Sequence, residues 1–142
     1  DAGLSVVSGG YLASANYLGY LLGSLIATRL QVRDEVAVLG SMKELGDFAP
    51  GFHAQLAEPV AEAGVDFAVL VGPEMLALAR EMGKLPRDTL GNALRFAHCD
   101  NAGEAIAALQ EFGLAGGDAV LVKGSNSVGL ARVVEHFAAK ET

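Results

Sequence analysis

The chain has 142 residues, a formal net charge of −7 and 51% hydrophobic residues, with a single cysteine and no tryptophan. Such a chain is too apolar and too weakly charged to be intrinsically disordered, and its length suits one domain with a sizeable core. The lone thiol, Cys99, excludes an intrachain disulfide and a cysteine-based zinc site, and the acidic balance with scattered Lys and Arg argues against a nucleic-acid partner.

No charged side chain occurs over residues 4–28, and about 20 apolar residues suffice to span a bilayer. Ala15, Gly19, Gly23 and Ala27 recur every fourth residue. On a helix they form the kind of small-residue stripe by which membrane helices approach one another. Arg29 and Arg33 follow the run, which for a spanning helix places the C-terminal part in the cytoplasm. Asp1, in place of a basic region, argues against a signal peptide. The alternative is a buried helix packed on a sheet. Asp1, Arg29 and Arg33 bring the first 33 residues to +1 and leave −8 beyond them. A boundary is therefore expected near Arg33, with a hydrophobic helix over 1–33 and an α/β domain over 34–142.

From Asp34 onward, short β-branched runs alternate with helical periods. The pattern predicts a strand over 36–39, and then a loop over 41–52, where Gly46, Pro50 and Gly51 cluster. His53, Leu56, Ala57, Val60, Ala61 and Gly64 fall at helical spacing, with Pro59 expected to kink or shorten that helix. A strand over 67–71 ends at Gly72-Pro73 and precedes a helix over 74–82. A third strand is predicted over 94–97. Asp100 or Asn101 then caps a helix whose apolar face is Ala102, Ala105, Ile106, Leu109 and Phe112. A fourth strand over 119–122 leads to a last helix expected to bury Leu130, Val133, Val134 and Phe137. The fold class is α/β, a mostly parallel, Rossmann-like sheet with helices on both faces and ligand sites beyond the carboxyl ends of the strands.

The turn Lys123-Gly124-Ser125-Asn126-Ser127 combines a cation with hydroxyl and amide donors at an expected helix start, which suits a carboxylate or phosphate. The alternative is that Ser125 or Ser127 caps the helix and Lys123 is solvated. His53 is a candidate to orient a substrate or bind a carboxylate, or else a packed or capping residue. Lys43 and Glu44 read as a solvated pair. No GxxxxGK[ST] phosphate loop and no G-x-G-x-x-G after the first strand are present, and His53, His98 and His136 are too dispersed for a metal site. His98 and Cys99, adjacent in a strand, point to opposite faces and make no nucleophile pair.

Two resemblances follow. The stretch GGYLASANYLGYLLGSLIA is similar to one transmembrane helix of major-facilitator transporters. VAVLGSMKELGDFAPGFHAQLAEPVAEAGVDFAVLVG and GDAVLVKGSNSVGLARVVEHF, from about Val36 to the C-terminus, resemble the C-terminal domain of the MurF group of Mur ligases, through V-L-G-x-M-x-E-L-G, His53 and V-K-G-S. The resemblance implies a Rossmann-like domain that closes on a central ATPase domain, helping to hold the incoming D-Ala-D-Ala and contributing to the nucleotide site. It implies Lys123, Gly124, Ser125 and Asn126, with His53, as substrate-facing positions. UDP-MurNAc-peptide, ATP and Mg then belong to the full ligase, with no cofactor in this fragment and no activity of the fragment alone. Two departures stand out: Ser41 replaces an Asp found in many relatives, and the family's first β-α unit with its D-x-Y-N-A-N-P loop is not recognised. The chain thus reads as a cytoplasmic ligase fragment. The alternatives are a membrane-anchored binding module, tethered through residues 4–28, or a composite chain without function of its own.

Overall fold

The computed structural model describes residues 33–87 and 91–139. The apolar run over 4–28, with its two alternative readings, lies outside the described residues. Among the described residues no helix is long and apolar enough to cross a membrane.

Strands β1 (Glu35–Gly40), β2 (Phe67–Val71), β3 (Phe96–Cys99) and β4 (Ala119–Lys123) form one sheet in the order β3-β2-β1-β4, and every pairing is parallel. The helices are α1 (Ala49–Ala54), α2 (Ala57–Ala63), α3 (Leu76–Lys84), α4 (Ala102–Phe112) and α5 (Ala131–Ala138). Tight 3-10 turns occupy Lys43–Phe48, Pro73–Met75 and Asn126–Val128. Parallel neighbours require crossovers, and helical crossovers cover both faces, so the inner strands are apolar but for Glu35 at the start of β1. All of β1 and β2 is buried. Alternating side chains serve two cores. Ala37, Leu39, Ala68 and Leu70 join Leu56, Val60, Met75 and Leu78 on one face. Val36, Val38, Val69 and Val71 join Ala105, Leu109, Leu130 and Val133 on the other.

The architecture is the α/β sheet expected, with local differences. The segment over 41–52, expected as a loop, contains a 3-10 turn and then α1, with Pro50 in its first turn. There a missing N–H is harmless and the fixed φ suits the helix. Pro59 interrupts the chain four residues before itself, since its ring excludes the carbonyl of the residue four back, Gln55. The helices accordingly separate at Gln55-Leu56, and Pro59 sits in the first turn of α2. Strand β3 starts two residues later than predicted. Its register on β2, from Ala68↔Phe96 to Val71↔Cys99, draws His98 and Cys99 into the sheet, while Leu94 packs at the rim of the first core. In the last helix Leu130 and Val133 are buried and Phe137 packs against the second core, but Val134 is 51% exposed. It is the neighbour of Val133 on a helix with only one face to bury.

Asn101 caps α4, its Oδ1 accepting the Glu104 N–H at 3.0 Å, and Glu104 Oε2 reaches back to the Asp100 N–H at 2.8 Å. Asn101→Ala is expected to lower stability by about 1 kcal/mol, the usual worth of such a cap, as a shift in urea midpoint at constant slope.

Candidate functional site

From β1 the chain crosses one face of the sheet, and from β4 it turns to α5 on the other. Where connections diverge in this way, beyond the strand ends, sheets of this kind have their ligand crevice. Gly40 and Gly124 lie side by side at that point. A Cβ on Gly124 would stand 2.8 Å from Gly40 Cα and 2.9 Å from Leu130 Cδ1, so only glycine permits this approach.

The β1 loop is tied in three directions. Toward β4, Ser41 O accepts the Ser125 N–H at 3.1 Å, and Ser125 Oγ accepts the Lys43 N–H at 3.0 Å while donating to the Glu44 carboxylate. Toward β2, the Ser41 N–H donates to Val71 O at 3.1 Å and its Oγ donates to Glu74 Oε2 at 2.7 Å. Toward α1, the Met42 N–H donates to His53 Nε2 at 3.0 Å. Next to these, Gly72 N–H donates to Cys99 O, and His98 Nε2 bonds Gly72 O, each at 2.8 Å.

The charges follow from these contacts. The Ser41 hydroxyl, then the Glu74 backbone N–H and the nearby Lys43 ammonium, hold the Glu74 carboxyl below the usual carboxylate range. Burial lowers the His53 pKa despite Glu74 and Glu44, so the ring is neutral at physiological pH. Burial raises Cys99, which keeps it an ordinary thiol.

Of the residues expected at a site, Lys123, Gly124 and Ser125 come together at the crevice. Lys123 ends β4 opposite Leu39, and Asn126 opens the following 3-10 turn. His53 is elsewhere: it is 1% exposed, packed under the β1 loop with Nε2 occupied. The helix start expected at Ser125 to Ser127 needs correction. Helix α5 begins at Ala131 with Leu130 at its N-cap and no side-chain cap, because the 3-10 turn intervenes and the Ser125 hydroxyl is already engaged by the β1 loop. Glu44, read as half of a solvated pair, is exposed and also accepts a hydrogen bond from Ser125. Sequence reasoning missed the Ser41–Glu74 pair as a site feature, since a contact over 33 residues leaves no local signal. Among the described residues no group of three or more His, Cys, Asp or Glu is placed to hold a metal.

A cavity of about 670 Å³ lies at the opposite, amino-terminal end of β2 and β3, lined by Glu58, Glu62, Asp66, Arg87 and Arg95 among others. Sheets of this kind take ligands at the carboxyl ends of their strands, so topology favours the β1/β4 crevice over this hollow.

A family model described as Mur ligase, glutamate ligase domain, matches residues 16–126. The chain belongs to this Mur ligase family. The match begins inside the uncharged run, so it does not mark the boundary expected near Arg33. Among curated proteins, this Mur ligase domain is similar to the UDP-N-acetylmuramoyl-tripeptide–D-alanyl-D-alanine ligase of Synechocystis, 34% identical over 107 residues and 74% of the chain. It is 30% identical to the ligase of the same name from Mycobacterium tuberculosis, over 99% of the chain. It spans only 21% and 30% of those two relatives. Among solved structures, MurF of Thermotoga maritima in complex with ADP matches 80% of the chain at 25% identity, with a TM-score of 0.56 and 24% of that protein covered. MurF of Acinetobacter baumannii shares the fold over 94% of the chain and 26% of its own length, at 22% identity and a TM-score of 0.59.

Proposed function

We propose that this domain is the C-terminal part of an ATP-dependent ligase of cytoplasmic peptidoglycan synthesis, and that its β1/β4 crevice holds the incoming D-Ala-D-Ala. The observation that carries the reading is the meeting of Lys123, Gly124 and Ser125 at the switch point of a Mur ligase sheet. Amide formation needs the dipeptide's amine aimed at an acyl phosphate on the UDP-MurNAc-tripeptide, with phosphate as leaving group. Fixing the far carboxylate supplies that aim by lowering the entropy of attack. The Lys123 ammonium is the charged anchor, Gly124 lets the ends of β1 and β4 close on each other beside Gly40 and Leu130, and Ser125, with Asn126 next in sequence, follows at the tie to the β1 loop. His53 supports this site from beneath and does not touch the dipeptide. In this reading ATP and Mg belong to the other parts of the ligase.

Titrating D-Ala-D-Ala into the chain by calorimetry tests the reading. Lys123→Ala is expected to weaken binding by roughly 1.5–3 kcal/mol, the worth of a charge-assisted contact, or about 10- to 150-fold. Equal affinity in the two proteins would remove Lys123 from the site. With ATP, tripeptide precursor and dipeptide supplied, the chain alone is expected to release no phosphate above background.

A further inference from the structure

His53 is among the largest fully buried side chains in the domain. Leucine would fill similar space without polar atoms to satisfy. The ring instead spends Nε2 on one backbone N–H, that of Met42, while its other nitrogen, Nδ1, is buried without a hydrogen-bond partner. An unmatched buried nitrogen is a penalty that simple packing would avoid. The contribution peculiar to histidine here is the acceptor at Nε2.

Met42 stands between the two residues that cross-link the crevice. Ser41 on one side reaches Val71, Glu74 and the Ser125 N–H, and Lys43 on the other donates its N–H to Ser125 Oγ. Three consecutive residues can meet partners on three different elements only if the middle peptide is held in one orientation. We propose that His53, neutral and protonated on Nδ1, is the positioning residue of the crevice: its Nε2 holds the Met42 N–H and thereby sets Ser41 against Glu74 and Lys43 against Ser125. Its bearing on dipeptide binding rests on the function proposed above, but the positioning itself does not.

Protonating Nε2 replaces the acceptor with a second donor facing the Met42 N–H, and the tie is lost. The charged groups facing the ring are Glu74, from the turn after β2, and Glu44, from the β1 loop, and both favour the imidazolium; Lys43 lies close to Glu74. Burial opposes them and prevails, placing the ring below its usual 6.5. The tie is therefore complete above the ordinary histidine pKa and is lost as pH falls through the lowered one.

Nitrogen-15 NMR on the full chain tests the proposal, with ring shifts and amide exchange followed from about pH 8 downward for as long as the chain stays folded. The expected wild-type result is a His53 ring protonated on Nδ1 with an acceptor-like Nε2, and Met42 and Lys43 amides whose protection falls as the ring titrates. His53→Leu is expected to speed exchange of both amides by about tenfold, the factor carried by one net hydrogen bond. His53→Gln, which retains an acceptor that does not titrate, is expected to restore protection and abolish its pH dependence. A ring protonated on Nε2, or Met42 protection unchanged in His53→Leu, overturns the proposal. If the leucine variant does not fold, the wild-type ring spectrum alone decides by the same criterion. Failure of the wild-type chain to bind dipeptide, with ring and amides behaving as expected, overturns the proposed function and leaves the positioning role standing.

Discussion

Gly72→Ala is expected to remove roughly 2–4 kcal/mol of folding stability, combining a backbone conformation close to glycine-only with the loss of a buried-edge hydrogen bond. Gly72 has φ 111° and ψ 154°, and an added Cβ would stand 2.3 Å from Ser41 Oγ and 3.5 Å from Glu74 Oε2. Neither atom yields cheaply, because Ser41 is fully buried and its hydroxyl is bonded to Glu74. The substitution therefore strains the turn after β2 and also pushes the Ser41 side chain off its partner. Two measurements check it. Urea unfolding should show a lower midpoint, and the Glu74 carboxyl, deprived of the contact that contributes most to its lowered pKa, should titrate closer to the ordinary carboxylate range. An unchanged midpoint would mean that the turn relaxes freely, and the tight seam between β1 and β2 would then carry no weight in the fold.

Leu39→Ala is expected to cost about 2–5 kcal/mol, the span observed when a buried leucine is truncated and its cavity only partly collapses. Leu39 is 0% exposed on the central part of the sheet, with Leu70 as its register partner in β2 and Lys123 as its partner in β4. It lies one residue before Gly40, so the cavity opens directly beneath the crevice. Stability and dipeptide affinity should fall together, read by urea unfolding and calorimetry. Val134→Ser, at a position 51% exposed, serves as the control and should stay within about 0.5 kcal/mol of wild type. Loss of stability with unchanged affinity in Leu39→Ala would separate the crevice from the core beneath it.

The parts of the domain legible in the sequence are those governed by neighbours along the chain. The alternation of β-branched runs with helical periods carries the α/β class, because a doubly covered parallel strand has to be apolar on both sides. The bounds predicted for β2 coincide with those observed, since Gly72-Pro73 ends the strand chemically. Of the two caps the sequence offers for α4, Asp100 and Asn101, it is Asn101 that accepts the Glu104 N–H. By contrast, the limits of β3 depend on pairing with β2, so His98 and Cys99 join a strand that their own preferences do not signal. The exposure of Val134 depends on which single face of α5 meets the sheet. Lys123, Gly124 and Ser125 were legible as a candidate site because they are consecutive. The pairings of Ser41 with Glu74 and of Glu44 with Ser125 were not legible, because the partners are distant in the chain.

Composition, period and local stop signals determine that this is an acidic α/β domain, and its motif words determine which family those elements belong to. These properties are written locally, in the steric and hydrophobic preferences of successive residues. The tertiary structure decided the strand order that puts the switch point between β1 and β4, the meeting of Gly40 with Gly124, and the turning of His53 inward to hold a backbone amide instead of outward to a ligand. Each is a contact between segments far apart in sequence. Its energy depends on the shape of the whole core, which no window of neighbouring residues contains.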